Sequence, residues 1–145
     1  MDYAYFDASA LIKRYVEELG RREVLELLRK NRCVVSAILP VEVRSALRRR
    51  VADKTLDAKR VPTILKRFAA DRPYWTVIEV SSDVLAKAEV LTGAHPLRAL
   101  DSIHVASAKL FGDRTAFEAF TFVSADAHQT TVADALGLRT RYVGS

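Results

Sequence analysis

Two hydrophobic periodicities take turns along this chain, and that alternation restricts the fold more than any single motif. Tyr3-Ala4-Tyr5-Phe6 is a short aromatic and small-residue run, and after it Leu11, Ile12, Tyr15 and Val16 recur at helical spacing. Ser9 stands where a helix cap belongs, and Gly20 separates this helix from a second amphipathic stretch around Val24, Leu25, Leu27 and Leu28. Cys33-Val34-Val35 predicts a second strand, with Ser36 as a candidate cap and Pro40 in the first turn of a basic helix pair reaching Asp71. Arg72-Pro73 breaks that pattern. The residues from Trp75 to Val80 predict a third strand, and Ser81-Ser82-Asp83 caps a helix that ends near Gly93. Beyond Pro96, Leu100, Ile103, His104, Ser107 and Leu110 share one helical face. Phe120-Thr121-Phe122-Val123-Ser124 predicts a fourth strand, Asp126 opens a helix that Gly137 stops, and Thr140-Arg141-Tyr142-Val143 predicts a last short strand. Strands separated by helices of this length pair in parallel. The expected fold is therefore α/β, a single doubly wound parallel sheet with helices on both faces, in one domain over residues 1–145.

A chain of 145 residues, half of them hydrophobic, buries about 68–70% of its extended surface and needs no disulfide or structural metal to fold. Cys33 is the only cysteine, which excludes an internal disulfide and a Cys-x-x-Cys knuckle. Asp2 and Asp7 occupy the stretch where a secretory leader carries positive charge. No apolar run nears the ~18 residues of a membrane helix. A cytoplasmic protein without membrane contact is the expectation. The net charge of +5 favours a polyanionic partner. The excess is concentrated, because from Arg44 to Arg67 nine bases face only Asp53 and Asp57. Within it Arg48, Arg49 and Arg50 are candidate contacts for a phosphate backbone or an acidic protein partner. A solvated helix face accounts for them equally well.

Chemistry in an open parallel sheet gathers at the carboxyl ends of the strands, near the point where strand order reverses. Asp7 ends the first predicted strand, and Asp126 lies two residues past Ser124 at the end of the fourth. Two further acids arrive on helices in apolar settings, Glu42 within Pro40-Val41-Glu42-Val43 and Asp101 within Ala99-Leu100-Asp101-Ser102-Ile103. Each acid alone has a structural reading: caps for Asp7 and Asp126, a salt bridge for Glu42, a pairing with Arg98 for Asp101. Four carboxylates close together repel one another, and a cation relieves that repulsion. With no Cys or His cluster at zinc spacing, Mg²⁺ or Mn²⁺ is the natural ion. Beside a basic helix, such a site points to metal-assisted phosphodiester hydrolysis.

These residues also carry a resemblance. The segments Tyr5-Phe6-Asp7-Ala8-Ser9-Ala10-Leu11-Ile12-Lys13, Val41-Glu42-Val43, Leu97-Arg98-Ala99-Leu100-Asp101-Ser102-Ile103-His104-Val105-Ala106 and Phe122-Val123-Ser124-Ala125-Asp126 resemble the PIN-domain ribonucleases, in particular the VapC-type toxins of toxin-antitoxin pairs. The resemblance spans essentially the whole chain. It implies strand order 3-2-1-4-5, Mg²⁺ or Mn²⁺ dependence and endonucleolytic cleavage of RNA. It further implies that Asp7 and Asp101 are the principal metal ligands, with Glu42 and Asp126 completing the acidic pocket. Ser124 resembles the small hydroxyl residue before the fourth acid, where it orients a water or ligand or simply bonds the backbone. Ser9 and Arg98 stand beside the acids as residues that orient a ligand or the substrate. A cognate antitoxin and a homodimer are the implied protein partners.

His104 follows Asp101 by three residues on the same face, so it either bonds that carboxylate or packs in the core, and packing is the simpler reading. His95 and His128 read as loop and surface residues. Arg72-Pro73-Tyr74-Trp75 could stack bases, although a packing Trp at a strand start is commoner. A receiver-type signalling module lacks its middle-strand Asp here, and a dehalogenase-like phosphatase would carry a second acid two residues after Asp7, where Ser9 stands. The remaining alternatives are an RNA-processing nuclease without an antitoxin and a degenerate domain that only binds RNA or a partner.

Overall fold

The computed structural model describes residues 1–115 and 119–144. Five strands, β1 (Tyr3–Phe6), β2 (Arg32–Ser36), β3 (Thr76–Ile78), β4 (Phe120–Ser124) and β5 (Arg139–Tyr142), form one sheet in the order β3-β2-β1-β4-β5. Every neighbouring pair is parallel. The connections are α1 (Ala8–Leu11) and α2 (Arg21–Lys30) after β1, and α3 (Leu39–Ala52) and α4 (Val61–Asp71) after β2. Next come α5 (Ser82–Ala94) and α6 (Ala99–Arg114) after β3, then α7 (Ala127–Ala135) after β4. Residues 116–118 of the β4 approach lie outside the described residues.

The two-residue period of the strands sorts the core into two layers. Ala4 and Phe6 of β1, Cys33 and Val35 of β2 and Val123 of β4 point to one side, where Leu11, Val24, Leu47 and Ile64 of α1 to α4 cover them. Tyr5, Val34 and Phe122 point to the other side, against Val84, Leu91, Val105 and Val132 of α5, α6 and α7. The chain therefore winds outward from β1 through β2 to β3, then returns to place β4 on the other flank of β1. That reversal opens a crevice at the carboxyl ends of β1 and β4.

Local chemistry explains most boundaries. Ser81 accepts the amide of Val84 and caps α5, and Gly137, at φ +88°, stops α7 in the left-handed region that glycine enters without strain. Three expectations shift. The cap of α1 is Asp7 rather than Ser9, and α1 is a single turn that tightens into a 3-10 turn over Ile12–Arg14. The third strand is shorter than expected at both ends: Trp75 packs edge-on against Phe68, ring centroids 5.2 Å apart, and pairing stops at Ile78, while Tyr74 projects into solvent. The buried side of α6 is also broader than a stripe: Ser102, His104, Val105, Ala106, Ser107 and Ala108 are all buried, and Leu100 is half-exposed. Among the described residues no helix is long and apolar enough to cross a membrane.

Candidate active site

The first acid follows β1 directly. Asp7 is 1% exposed, and its extended backbone lets its Oδ1 accept the amide of Ala10, 2.9 Å away, as the cap of α1. The Ser9 hydroxyl donates to the same Oδ1 at 2.8 Å, and the Ser124 hydroxyl donates to Oδ2 at 2.6 Å. Each serine in turn accepts from the β4–α7 loop, Ser9 from the amide of Ala125 and Ser124 from that of Asp126. The two switch-point strands are thus stitched together through one carboxylate. Burial raises the Asp7 pKa above its ordinary value, and the charge of His104 with the hydrogen bonds from Ser124, Ser9 and Ala10 only partly offsets this. No arginine or lysine reaches it among the described hydrogen bonds and ion pairs.

The other three acids line one cleft of about 340 Å³ at this end of the sheet: Glu42 in the first turn of α3, Asp101 in the first turn of α6, and Asp126 as the cap of α7. Asp126 Oδ1 accepts the amides of His128 and Gln129, so it serves its helix while facing the cleft. Asp7 is buried behind Ala8 and Ser9, which form part of the wall. All four predicted acids therefore converge on the crevice, three on its surface and one inside. Among the described residues no trio of Asp, Glu, His or Cys is preassembled as a metal cage. The donors nevertheless fit a hard divalent cation in kind: they are carboxylates alone, and the deepest is a buried anion with no basic side chain bonded to it.

Each helical acid is gripped by a buried neighbour. His104, 1% exposed, donates from Nε2 to Glu42 Oε1 at 2.6 Å, and its Nδ1 lies 2.6 Å from the hydroxyl of the fully buried Tyr5. Packing alone does not describe His104, and its carboxylate partner is Glu42 rather than Asp101. Burial pulls the imidazole pKa down, but the hydrogen bond and charge of Glu42, with the charges of Asp7 and Asp101, outweigh it and leave the pKa raised. Asp101 Oδ1 accepts from Gln129 Nε2 at 2.9 Å, and its Oδ2 faces Arg98 Nε at 3.3 Å. Gln129 is a residue that sequence reading missed. It is buried, and its Oε1 has no hydrogen-bond partner among the described residues, an expensive way to fill space unless the donated bond matters.

The arginine triplet divides, as a 100° step per helical residue requires. Arg49 and Arg50 line the acidic cleft, together with the exposed Arg98. Arg50 is committed to Glu18, which it meets with both Nε and Nη2 at 3.1–3.2 Å. Arg48 turns away, and with Arg44 it rims an apolar groove of about 470 Å³ between α3 and α4 whose floor includes Leu47, Val51, Val61 and Leu65.

Comparison with known proteins agrees with this geometry. The PIN domain family matches residues 4–135. No curated protein matches the chain. Among solved structures the chain is similar to FitAcB from Neisseria gonorrhoeae, at 17% identity over 94% of this chain and 95% of that one, with a TM-score of 0.68. It is also similar to a toxin-antitoxin complex from Klebsiella pneumoniae, at 18% identity over 87% and 88% of the two chains and a TM-score of 0.63. A third is VapBC2 from Rickettsia felis bound to a DNA fragment from their promoter, at 14% identity over 97% and 98% and a TM-score of 0.63. With the family matched across nearly all of its length and the sheet order and crevice in place, this chain belongs to the PIN domain family.

Proposed function

We propose that the chain is a divalent-metal-dependent endoribonuclease, acting in the cytoplasm as the toxin of a toxin-antitoxin pair. One observation carries the reading: Glu42, Asp101 and Asp126 share a cleft beside the buried Asp7, and arginines stand on its rim. Asp7 and Asp101 would hold Mg²⁺ or Mn²⁺, with Glu42 and Asp126 completing the site. The bound ion supplies Lewis-acid activation of water and neutralises charge on the phosphate. The chain's own groups do the rest. Ser9 and Ser124 keep the Asp7 carboxylate fixed, each donating a hydroxyl hydrogen bond to one of the two oxygens. Hydrolysis by a metal-activated water is the proposed chemistry. Arg49 and the exposed Arg98, which line the cleft, would bind phosphates flanking the scissile bond.

The partner reading rests on the second surface. The similar structures include a toxin-antitoxin complex and VapBC2, and here a groove with an apolar floor and Arg44 and Arg48 on its rim suits an amphipathic helix carrying acidic residues. An antitoxin is the proposed occupant, and a homodimer of this chain the proposed assembly. The deciding experiment is cleavage of a mixed structured RNA by purified protein with Mg²⁺ or Mn²⁺, with chelator and Asp101→Asn as controls. Metal-dependent cuts lost in the variant establish the nuclease. Cleavage that survives chelation and the substitution refutes the site.

A further inference from the structure

The polar chain Tyr5–His104–Glu42 is not explained by folding alone. It crosses three elements, from the centre of β1 through α6 to the first turn of α3, and both links are 2.6 Å long. Tyr5 and His104 are buried among Val34, Val105 and Phe122, with the buried Ser36 and Ser107 at the phenol, so a polar chain runs through a largely apolar layer at a desolvation cost. The arrangement is nonetheless fully satisfied on the histidine. A carboxylate only accepts, so Nε2 must carry the proton toward Glu42 whether the ring is neutral or charged. In the neutral ring Nδ1 is then an acceptor, and the Tyr5 hydroxyl is the donor that fixes this tautomer. Glu42 is the opposite kind of residue: its side chain is partly exposed, it lines the cleft, and among the described residues no donor reaches its Oε2. One carboxylate oxygen is clamped from the core while the other is left for the cleft.

We propose that Tyr5 and His104 are positioning residues that hold the Glu42 carboxylate in a single orientation, ready for a divalent cation in the cleft. The proposal rests on the nuclease reading for its use, but the clamp itself is a statement about cation binding. A free glutamate on a helix surface samples several rotamers, and a clamped one meets its ion already ordered.

The test uses the full chain and Mn²⁺ alone as the probe, followed by electron paramagnetic resonance, beside RNA cleavage. Tyr5→Phe removes one oxygen and leaves the ring in the core. It is expected to weaken Mn²⁺ binding and lower kcat by about tenfold while the KM for RNA stays unchanged, and His104→Leu is expected to cost about 10–100-fold. His104→Gln, which can still donate to Glu42, should recover most of the loss. The decisive arm is a double-mutant cycle: in a Glu42→Ala background Tyr5→Phe should have no further effect on Mn²⁺ affinity. If Tyr5→Phe binds Mn²⁺ like the wild type, or if its effect persists in the Glu42→Ala background, the chain is a packing device and the proposal is overturned. A wild-type protein that binds no Mn²⁺ overturns it as well. A wild type that binds Mn²⁺ through Glu42 with this dependence, yet cuts no RNA, sinks the ribonuclease reading and leaves the clamp standing.

Discussion

Asp7 and Asp71 are both held by several donors, at opposite ends of the sheet, and their environments push them in opposite directions. Asp71 closes α4 beside the amino ends of β2 and β3. There Arg14 donates to its Oδ2 from Nε at 2.7 Å and to its Oδ1 from Nη2 at 3.3 Å, and the Tyr15 hydroxyl donates to Oδ2 at 2.6 Å. Burial alone would push its pKa up, but the bonds from Arg14 and Tyr15 and the charges of Arg14 and Arg67 prevail and hold it below the usual 3.8. Asp7 also has three donors, but they are two hydroxyls and an amide, and burial wins, so its pKa is raised. An acid that secures a fold brings its own cation. Asp7 has no such cation bonded to it, and its charge is a cost that the fold bears unless a cation enters the cleft.

The sharpest way to break this contrast is to neutralise each acid in turn. Asp7→Asn is expected to reduce metal-dependent RNA cleavage to background while raising the urea midpoint, because asparagine caps a helix as well as aspartate and removes a poorly solvated charge. Loss of stability together with retained cleavage would reverse the assignment. Asp71→Asn should do the converse. It leaves Arg14 without its ionic partner and is expected to cost about 1–3 kcal/mol of stability, with cleavage per folded molecule unchanged.

The pH dependence of those stabilities sharpens the comparison. The Asp71 contribution is present above its unfolded-state value, near 3.8, and is lost as pH falls through its lower folded value, so the wild type's advantage over Asp71→Asn should shrink in acid. For Asp7 the sign inverts. Its raised folded value favours the protonated form, so the stability of Asp7→Asn relative to the wild type should grow as pH climbs from about 3.8 through that folded value. Parallel curves for the two variants, measured by urea unfolding across this range, would remove the distinction. The smallest effect belongs to the rim: replacing Arg49 and Arg98 by alanine should weaken RNA binding severalfold and lower the salt slope by about 0.7 for each phosphate that is no longer neutralised. Arg50→Ala should act instead on stability, through its pairing with Glu18.

The acids were legible because each is anomalous in its own neighbourhood. Asp7 and Asp126 follow strand ends, and Glu42 and Asp101 interrupt apolar helix starts; each alone also reads as a cap or an ion pair, and it is the four together that mark a site. The alternation of strands and helices was legible for a similar reason, since β1, β2 and β4 are buried on both faces and read as unbroken apolar runs. What local pattern does not carry is pairing across distance. The bond from His104 to Glu42 joins residues far apart in the chain, and Gln129 reaches Asp101 from another helix. Gln129 has no sequence signal beyond being a polar residue on the inward side of an amphipathic helix. The division of Arg48, Arg49 and Arg50 was open to helical geometry, but which face meets the cleft depends on how α3 packs on the sheet.

The pairing of β1 with β4 has a consequence in time. Asp7, next after β1, emerges from the ribosome 117 residues ahead of its partner Ser124. At ~5–20 residues per second, that interval is on the order of ten seconds. Until β4 arrives, β1 has an open edge and Asp7 lacks the Ser124 hydroxyl that holds its Oδ2. A nascent chain therefore carries Asp7 and Glu42 well before it can assemble the crevice. Synthesis itself delays assembly of the crevice.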